Sequence, residues 1–503
     1  MKKKVAKKVL AAALAATMAV SMVGCGNSNT EAPANNTAND SATADTTADT
    51  TADSNADAND SATAETEAEE EVADAYVVRT DADGNPIDLG GMEIIIRDWW
   101  SPAEKEEPVN SFEEAREEYY DWIQETYNFT IKEQAIGDWG SVPADFVEYC
   151  TTGGDDNNYV FTLRDDAAVT GAMAQGLMRD LTTLDCLDFS EEKFTKNLLH
   201  EQYSKGDAIY AMYAGVSEPR TGMFFNKKLL KDAGIDPETI YDMQANGTWT
   251  FDAWTNLMDQ VQQDKDNDGV VDVWGTTQNN GVLVENAVYS NDGEFIGMEN
   301  GQYTYRLEDA ETLEALEWAV NVFNNYTLPY PEGAQWDYFK EAFKNGEAAF
   351  MPEDAYNITG MCKDWEFEYG YVMFPMGPVR ANKGEGNINR WSNNPACIPA
   401  CYDDDKAWKI AFAWNLYTEP VPGYEDYDPQ IENYMKDCPD LRAVQETCVM
   451  QTQQGMISYA GVVPNVNLGP DIVWNIAPGA VVSEKVEAIR DTWKAYIDEA
   501  NAK

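Results

Sequence analysis

A single histidine, His200, stands among the 503 residues. That scarcity excludes sites built from two or more imidazoles, HExxH zinc sites included, and leaves a serine-type triad only one candidate base. His200 itself follows Leu198-Leu199 and reads as a helix-surface or capping residue. Positive charge is scarce as well: 35 Lys and Arg stand against 89 Asp and Glu, a formal net charge of −54. A polyanion approaching this surface meets repulsion, so nucleic acid is excluded as a partner. No GxxxxGK[ST] phosphate loop occurs. Beyond the first 25 residues no run is apolar enough to span a bilayer. Cysteine is sparse and irregularly spaced: setting Cys25 aside leaves seven of the eight, an odd number, and spacing alone does not pair them. Cys397 and Cys401 lie near a strand-to-helix turn without the companions a zinc site requires. What the chain does have is length for two or three domains, ample apolar content for their cores, and an aromatic share of 12%.

The first residues carry the clearest local signal. Lys2, Lys3, Lys4, Lys7 and Lys8 precede an Ala-rich apolar run from Val9 to Val23, which reads as an export signal over 1–24. It ends in Met22-Val23-Gly24-Cys25, similar to the bacterial lipobox, which implies a thioether-linked diacylglycerol and palmitate at Cys25 and a protein tethered to the outer face of the cell membrane. Residues 25–75 follow as an acidic Thr/Ala/Asp-rich stretch with no Lys or Arg. Such a segment cannot form a core and reads as an extended spacer.

From Gly91 onward strands and helices alternate. Met92 to Arg97 is an apolar run of strand length. Ser111 with Glu114 has capping-box spacing, and Phe112, Ala115, Tyr119, Trp122, Ile123 and Tyr127 recur at helical intervals. Strands at Phe129–Lys132 and Tyr159–Leu163, with helices near Asp145–Cys150 and Val169–Met178, complete a βαβαβα order that specifies a parallel sheet covered on both faces. A second set repeats the α/β theme: a helix from Asn226 closed by Gly234, one after Thr250 with Trp254, Leu257, Met258 and Val261 inward, one marked by Leu313, Leu316, Val320 and Phe323, and one started by Trp336, Phe339 and Phe343. Strands at Ala348–Met351 and Glu368–Phe374 and helices at Asp405–Tyr417 and Ser483–Ala500 follow. Pro420 to Gly455, rich in acids and tyrosines, reads as an insertion that borders a cleft.

Met223 to Gly275 resembles the signature region of the family 1 extracellular solute-binding proteins, the maltose-binding-protein relatives. Phe225-Asn226-Lys227 stands where the family has Tyr-Asn-Lys, and Thr248-Trp249 with Phe251-Asp252-Ala253-Trp254 supplies the second half. Asn345 to Tyr356 is similar to the family's Gly-Glu-x-Ala element and Tyr369 to Pro375 to its following strand. The resemblance implies a class II periplasmic-binding-protein-like α/β fold: two lobes, each a doubly wound sheet flanked by helices, joined by hinge crossings near Gly215–Gly222, Phe374–Pro378 and Thr418–Gly423. The first lobe then combines 91–214 with 376–418 and the second 221–373 with 421–503. It also implies a monomeric binding protein, not an enzyme, that closes on a small solute, a carbohydrate or oligosaccharide, and delivers it to the permease of an ABC importer. Two other readings remain: a lipid-anchored glycoside hydrolase using paired carboxylates, and a ligand sensor for a membrane kinase.

In that geometry ligand lies at the carboxyl ends of strands. Asp98, Trp99 and Trp100 follow the first strand and suit a sugar, which offers C–H faces to rings and hydroxyls to carboxylates. By position in the family, Arg164, Asp165 and Asp166 form a ligand-contacting loop, and Tyr356 and Trp474 are stacking rings. Glu218 and Arg220 sit in the first crossing, and Arg390 and Trp391 complete the set. Each has an alternative as a packing or surface residue. Asp264, Asp266, Asp268, the Val270 carbonyl and Asp272 are spaced as the first nine positions of an EF-hand loop, although Gly275 stands where the bidentate Glu belongs. The resemblance implies structural Ca²⁺ there; the bland reading is an acidic turn. No organic cofactor is expected.

Overall fold

The computed structural model describes residues 76–502 apart from 106, 165, 166 and 393. The expectations for the leader, Cys25 and the acidic spacer, and those for Asp165 and Asp166, lie outside the described residues. No described helix is long and apolar enough to cross a membrane.

The first sheet opens with β1 (Met92–Asp98), followed by α1 (Ser111–Tyr127), β2 (Phe129–Ala135), α2 (Val142–Thr151) and β3 (Asn158–Thr162). Strand β1 lies between β2 and β3 and runs parallel to both, with Met92 opposite Phe129 and Ile94 opposite Asn158. Alternation along β1 buries Ile94, Ile96 and Asp98 on one face. The cap of α1 is one residue earlier than the Ser111/Glu114 box: the Asn110 side chain accepts the Glu113 N–H, and the Glu113 carboxylate accepts the Val109 N–H at 2.8 Å. The chain ends α1 at Asn128, which takes the left-handed conformation.

The second sheet contains β4 (Thr221–Asn226), β5 (Trp274–Thr276), β6 (Ala348–Asp354) and β7 (Tyr369–Met373) in the order β7-β4-β6-β5. It is mixed rather than parallel, because β4 runs against both β6 and β7 while β5 and β6 run together. Helix α3 (Phe251–Val261), capped by Thr250, turns Phe251, Trp254, Leu257, Met258 and Val261 inward. Helices α4 (Asn280–Ser290), α5 (Ala310–Asn325) and α6 (Tyr338–Lys344) follow. Strand β8 (Ala396–Cys397) returns to the first sheet, antiparallel to β3, and α7 (Asp404–Tyr417) packs there. The long α8 (Val482–Ala502) closes the second lobe.

Two hydrophobic cores result, one around β1–β3 and α7, the other around β4–β7 and α3–α5. Residues 376–392, expected in the first lobe, belong with the second. The Met376 N–H donates to the Trp249 carbonyl at 3.0 Å, Arg380 pairs with Asp292 at 2.7 Å, and the Trp391 N–H donates to the Met456 carbonyl at 2.8 Å. The return crossing therefore falls between Trp391 and Ala396, not at Phe374–Pro378. Residues 420–455 are also no cleft-side insertion. Tyr434, Cys438, Val444 and Cys448 lie in the second core, the Gln451 amide donates to the Thr221 carbonyl at 2.7 Å, and Thr447 Oγ1 donates to that of Tyr371 at 2.9 Å.

Candidate ligand-binding site

A cavity of about 770 Å³ opens between the second lobe and the two crossings. Its floor is set by β5, which ends at Thr276 and delivers Gln278, Asn279 and Asn280 to the start of α4. Asn279 makes no side-chain cap to its own helix; its Nδ2 donates instead to the Pro352 carbonyl at 3.2 Å and to Glu353 Oε2 at 3.3 Å. Asn280 Nδ2 donates to the Ile476 carbonyl, and Gln278 Nε2 to Asn280 Oδ1, both at 3.0 Å. Tyr330 Oη donates to the Gln278 carbonyl at 2.9 Å. The amides are thus locked by their own bonds before any ligand arrives, the preorganisation a specific polar site requires.

Each arginine at the cavity has a carboxylate partner. Arg220 meets Glu218 at 3.2 Å and donates through Nε to the Ser392 carbonyl, tying one crossing to the other. Arg390 meets Glu285 of α4 at 3.5 Å, and Asp354 accepts the Thr221 hydroxyl at 2.6 Å. Two indoles stand free at the cavity: Trp336 is 78% exposed and Trp474 is 62% exposed. Trp474 rests on Gly469, where a Cβ would come within 2.8 Å of the ring, so one face is backed and the rest is open.

Of the residues singled out in the sequence, Arg220, Arg390 and Trp474 line this cavity together. Asp98 does not take part: it is fully buried, and its carboxylate accepts the N–H groups of Trp100 and Ser101 and the Ser101 hydroxyl, capping the turn after β1. Trp391 is also structural, its indole buried against Gly455 and donating to the Gln451 carbonyl at 3.0 Å. Tyr356, half exposed, is outside the cavity lining, with its ring 5.9 Å from the Lys340 ammonium. His200 packs on Phe189 at 5.6 Å, and burial lowers its pKa.

Trp99, Trp100 and Arg164 lie on the other lobe, at the carboxyl ends of β1 and β3. Trp99 packs edge-on to Trp100 at 4.7 Å, and Arg164 stacks on Trp139 at 4.1 Å. Trp139, which follows β2 and is 61% exposed, was not singled out by sequence pattern. Gln278, Asn279, Asn280, Glu285, Tyr330 and Trp336 were also missed as site residues; the signal was Gln-Asn-Asn between a short strand and a helix start.

Glu353 lies behind the cavity wall, almost wholly buried, 3.7 Å from Lys340 Nζ. Burial and the neighbouring Asp354 push its carboxyl up to about 7, against the pull of Lys340. An acid raised in the folded state contributes stability that is complete below its unfolded pKa and lost as pH rises through the folded value. Between about pH 5 and about pH 8 the wild type should lose stability relative to Glu353→Gln. Parallel melting curves across that range would disprove it.

Residues 160–414, just over half of the chain, match the family described as bacterial extracellular solute-binding protein. The chain belongs to that family. Among solved structures, UgpB from Mycobacterium tuberculosis in complex with glycerophosphocholine is similar at 15% identity and TM-score 0.55, over 82% of this chain and 99% of that one. The GacH receptor of Streptomyces glaucescens, solved unliganded and with acarbose, is similar at 13% and 0.54 over 81% and 99%. The cyclic α-maltosyl-1,6-maltose binding protein of Arthrobacter globiformis is similar at 16% and 0.54 over 82% and 100%. At these identities the likeness is one of fold: two α/β lobes of the periplasmic-binding-protein type. No curated protein sequence matches this chain.

Proposed function

We propose that this solute-binding protein takes a carbohydrate or oligosaccharide between its lobes and delivers it to an ABC importer, held at the outer face of the membrane by lipid on Cys25. The observation that carries the ligand class is the pair of open indoles, Trp336 and Trp474, beside a row of fixed amides and two arginines each held by a carboxylate. Indole faces take sugar C–H surfaces, and amides and ion pairs exchange hydrogen bonds with hydroxyls. An anionic solute would instead call for unbalanced positive charge. Of the three similar structures, the GacH receptor was solved with acarbose and the Arthrobacter globiformis protein is named for binding cyclic α-maltosyl-1,6-maltose, which favours the same class, whereas UgpB was solved with glycerophosphocholine. In this reading lobe closure brings Trp100, Trp139 and Arg164 over the ligand bound at the second lobe. The carboxylates that line the cavity, Asp354 and Glu285, already hold Thr221 and Arg390, which favours binding over hydrolysis. The test is a thermal-shift screen of mono- and oligosaccharides with each sugar assayed for breakdown. Stabilisation of about 2.7 kcal/mol at a hundredfold excess over Kd is expected; cleavage of the sugar, or no shift with any, would refute the proposal.

The same proposal includes a structural Ca²⁺. Asp264, Asp266 and Asp268 hold carboxylate oxygens within 4.8 Å of one another, hard donors that fit the ion. Gly269, at φ +90°, makes the turn that gathers them. Asp272 faces the Lys265 N–H at 2.6 Å. Adding Ca²⁺ to chelated protein should raise the melting temperature, and Asp266→Asn should remove the rise; calorimetry that detects no Ca²⁺ binding would eliminate the ion.

A further inference from the structure

Glu353, near the end of β6, is buried behind the cavity wall, yet it reaches the cavity through one residue. Asn279 lines the cavity at the start of α4. Its side-chain nitrogen carries two hydrogens, and two acceptors face it: the Pro352 carbonyl at 3.2 Å and Glu353 Oε2 at 3.3 Å. Its backbone is held as well, because its carbonyl accepts the Leu283 N–H at 2.9 Å. Turning the amide over would set Oδ1 against two acceptor oxygens, so Pro352 and Glu353 together decide which end of Asn279 a solute meets. That end is Oδ1, which accepts a hydrogen bond.

We propose that Glu353 is a positioning residue of the binding site: its ionised carboxylate holds Asn279 with Oδ1 toward the cavity and so selects a solute that donates a hydroxyl hydrogen there. The hydroxyl comes from the carbohydrate reading, on which this rests. Glu353 Oε1 is already engaged, accepting the Asp354 N–H at 3.0 Å. A proton taken up by the carboxyl therefore goes to Oε2, where it puts a donor in front of the Asn279 amide in place of an acceptor. The amide then loses its second partner, and the cavity loses a fixed acceptor.

Burial, with Asp354 beside it, pushes the Glu353 carboxyl up to about 7, and Lys340 of α6, 3.7 Å away, pulls it down. The binding form is the ionised one, so affinity should rise as pH rises through that value. The other titratable groups facing Glu353 are Tyr356 and Cys362, in the turns after β6, and Tyr371 of β7, whose hydroxyl donates to the Glu353 carbonyl at 3.5 Å. Burial raises all three further above their ordinary range, so none of them ionises where Glu353 does.

Protein labelled with ¹⁵N at asparagine gives side-chain amide resonances, and that of Asn279 is the one lost in Asn279→Asp. In the wild type it should shift with pH about a midpoint of about 7, and in Glu353→Gln it should stay fixed. Calorimetry of the wild type with maltotetraose should show about tenfold weaker binding at about pH 5.5 than at about pH 8.5, and Glu353→Gln should bind equally at both. A carboxyl that only packed would alter the melting temperature and leave both readouts flat. An Asn279 resonance that does not titrate in the wild type overturns the assignment whether or not any sugar binds, and so does a wild-type affinity equal at the two pH values. Failure of maltotetraose to bind would count against the carbohydrate reading instead, with the wild-type amide titration then deciding the role of Glu353.

Discussion

Replacing Trp336 and Trp474 together by alanine is expected to weaken sugar binding about a hundredfold, with each single change costing about tenfold. Both indoles stand largely in water in the free protein, so neither contributes much to its stability. The melting temperature without ligand should therefore barely move. Titration calorimetry with the best sugar of the thermal-shift screen provides the measurement. Trp99→Ala is the contrasting variant: Trp99 packs on the first core and should lose stability as well as contacts at the rim. An unchanged affinity in the Trp336/Trp474 double variant would remove the stacking assignment and, with it, the main support for a carbohydrate ligand.

The largest stability loss is expected from Trp249→Ala, about 3 to 5 kcal/mol, or roughly 10 °C of melting temperature. Trp249 is fully buried between α3 and β7, and its indole donates to the Met373 carbonyl at 2.7 Å. Its own carbonyl accepts the Met376 N–H and the Asn387 amide. Truncation opens a cavity and orphans the Met373 carbonyl at once. Trp249→Phe keeps most of the packing and loses the hydrogen bond, for about 1 to 2 kcal/mol. If denaturant unfolding ranks the two variants equally, the cavity contribution is wrong.

Helical periodicity made much of the fold legible. The inward stripe of α3 and its Thr250 cap could be read directly, as could the three parallel strands of the first sheet, because each has one buried face or two. The site was harder. Asp98 was expected in the cleft because it ends a strand, yet it shares the parity of Ile94 and Ile96, and the pleat turns it into the core. Trp336 was read as the first buried position of a helix, but the helix starts at Tyr338 and leaves the indole outside. The family resemblance implied a crossing at Phe374–Pro378; the backbone bonds of Trp249, which join residues distant in sequence, hold that segment to the second lobe instead. Gln278 to Asn280 carry no periodic signal, since the three-residue β5 that positions them is too short to show one.

The return of β8 to the first sheet has a consequence for how the protein is made. Ala396 and Cys397 complete a sheet begun at Met92, and α7 covers it only after residue 404. The second lobe in turn waits for α8, which starts at Val482. During synthesis the first lobe cannot finish before residue 404 has emerged, nor the second before residue 482, and the contacts that complete each are long in sequence and slow to form. A nascent chain of this design stays open for longer than one whose lobes follow each other in order.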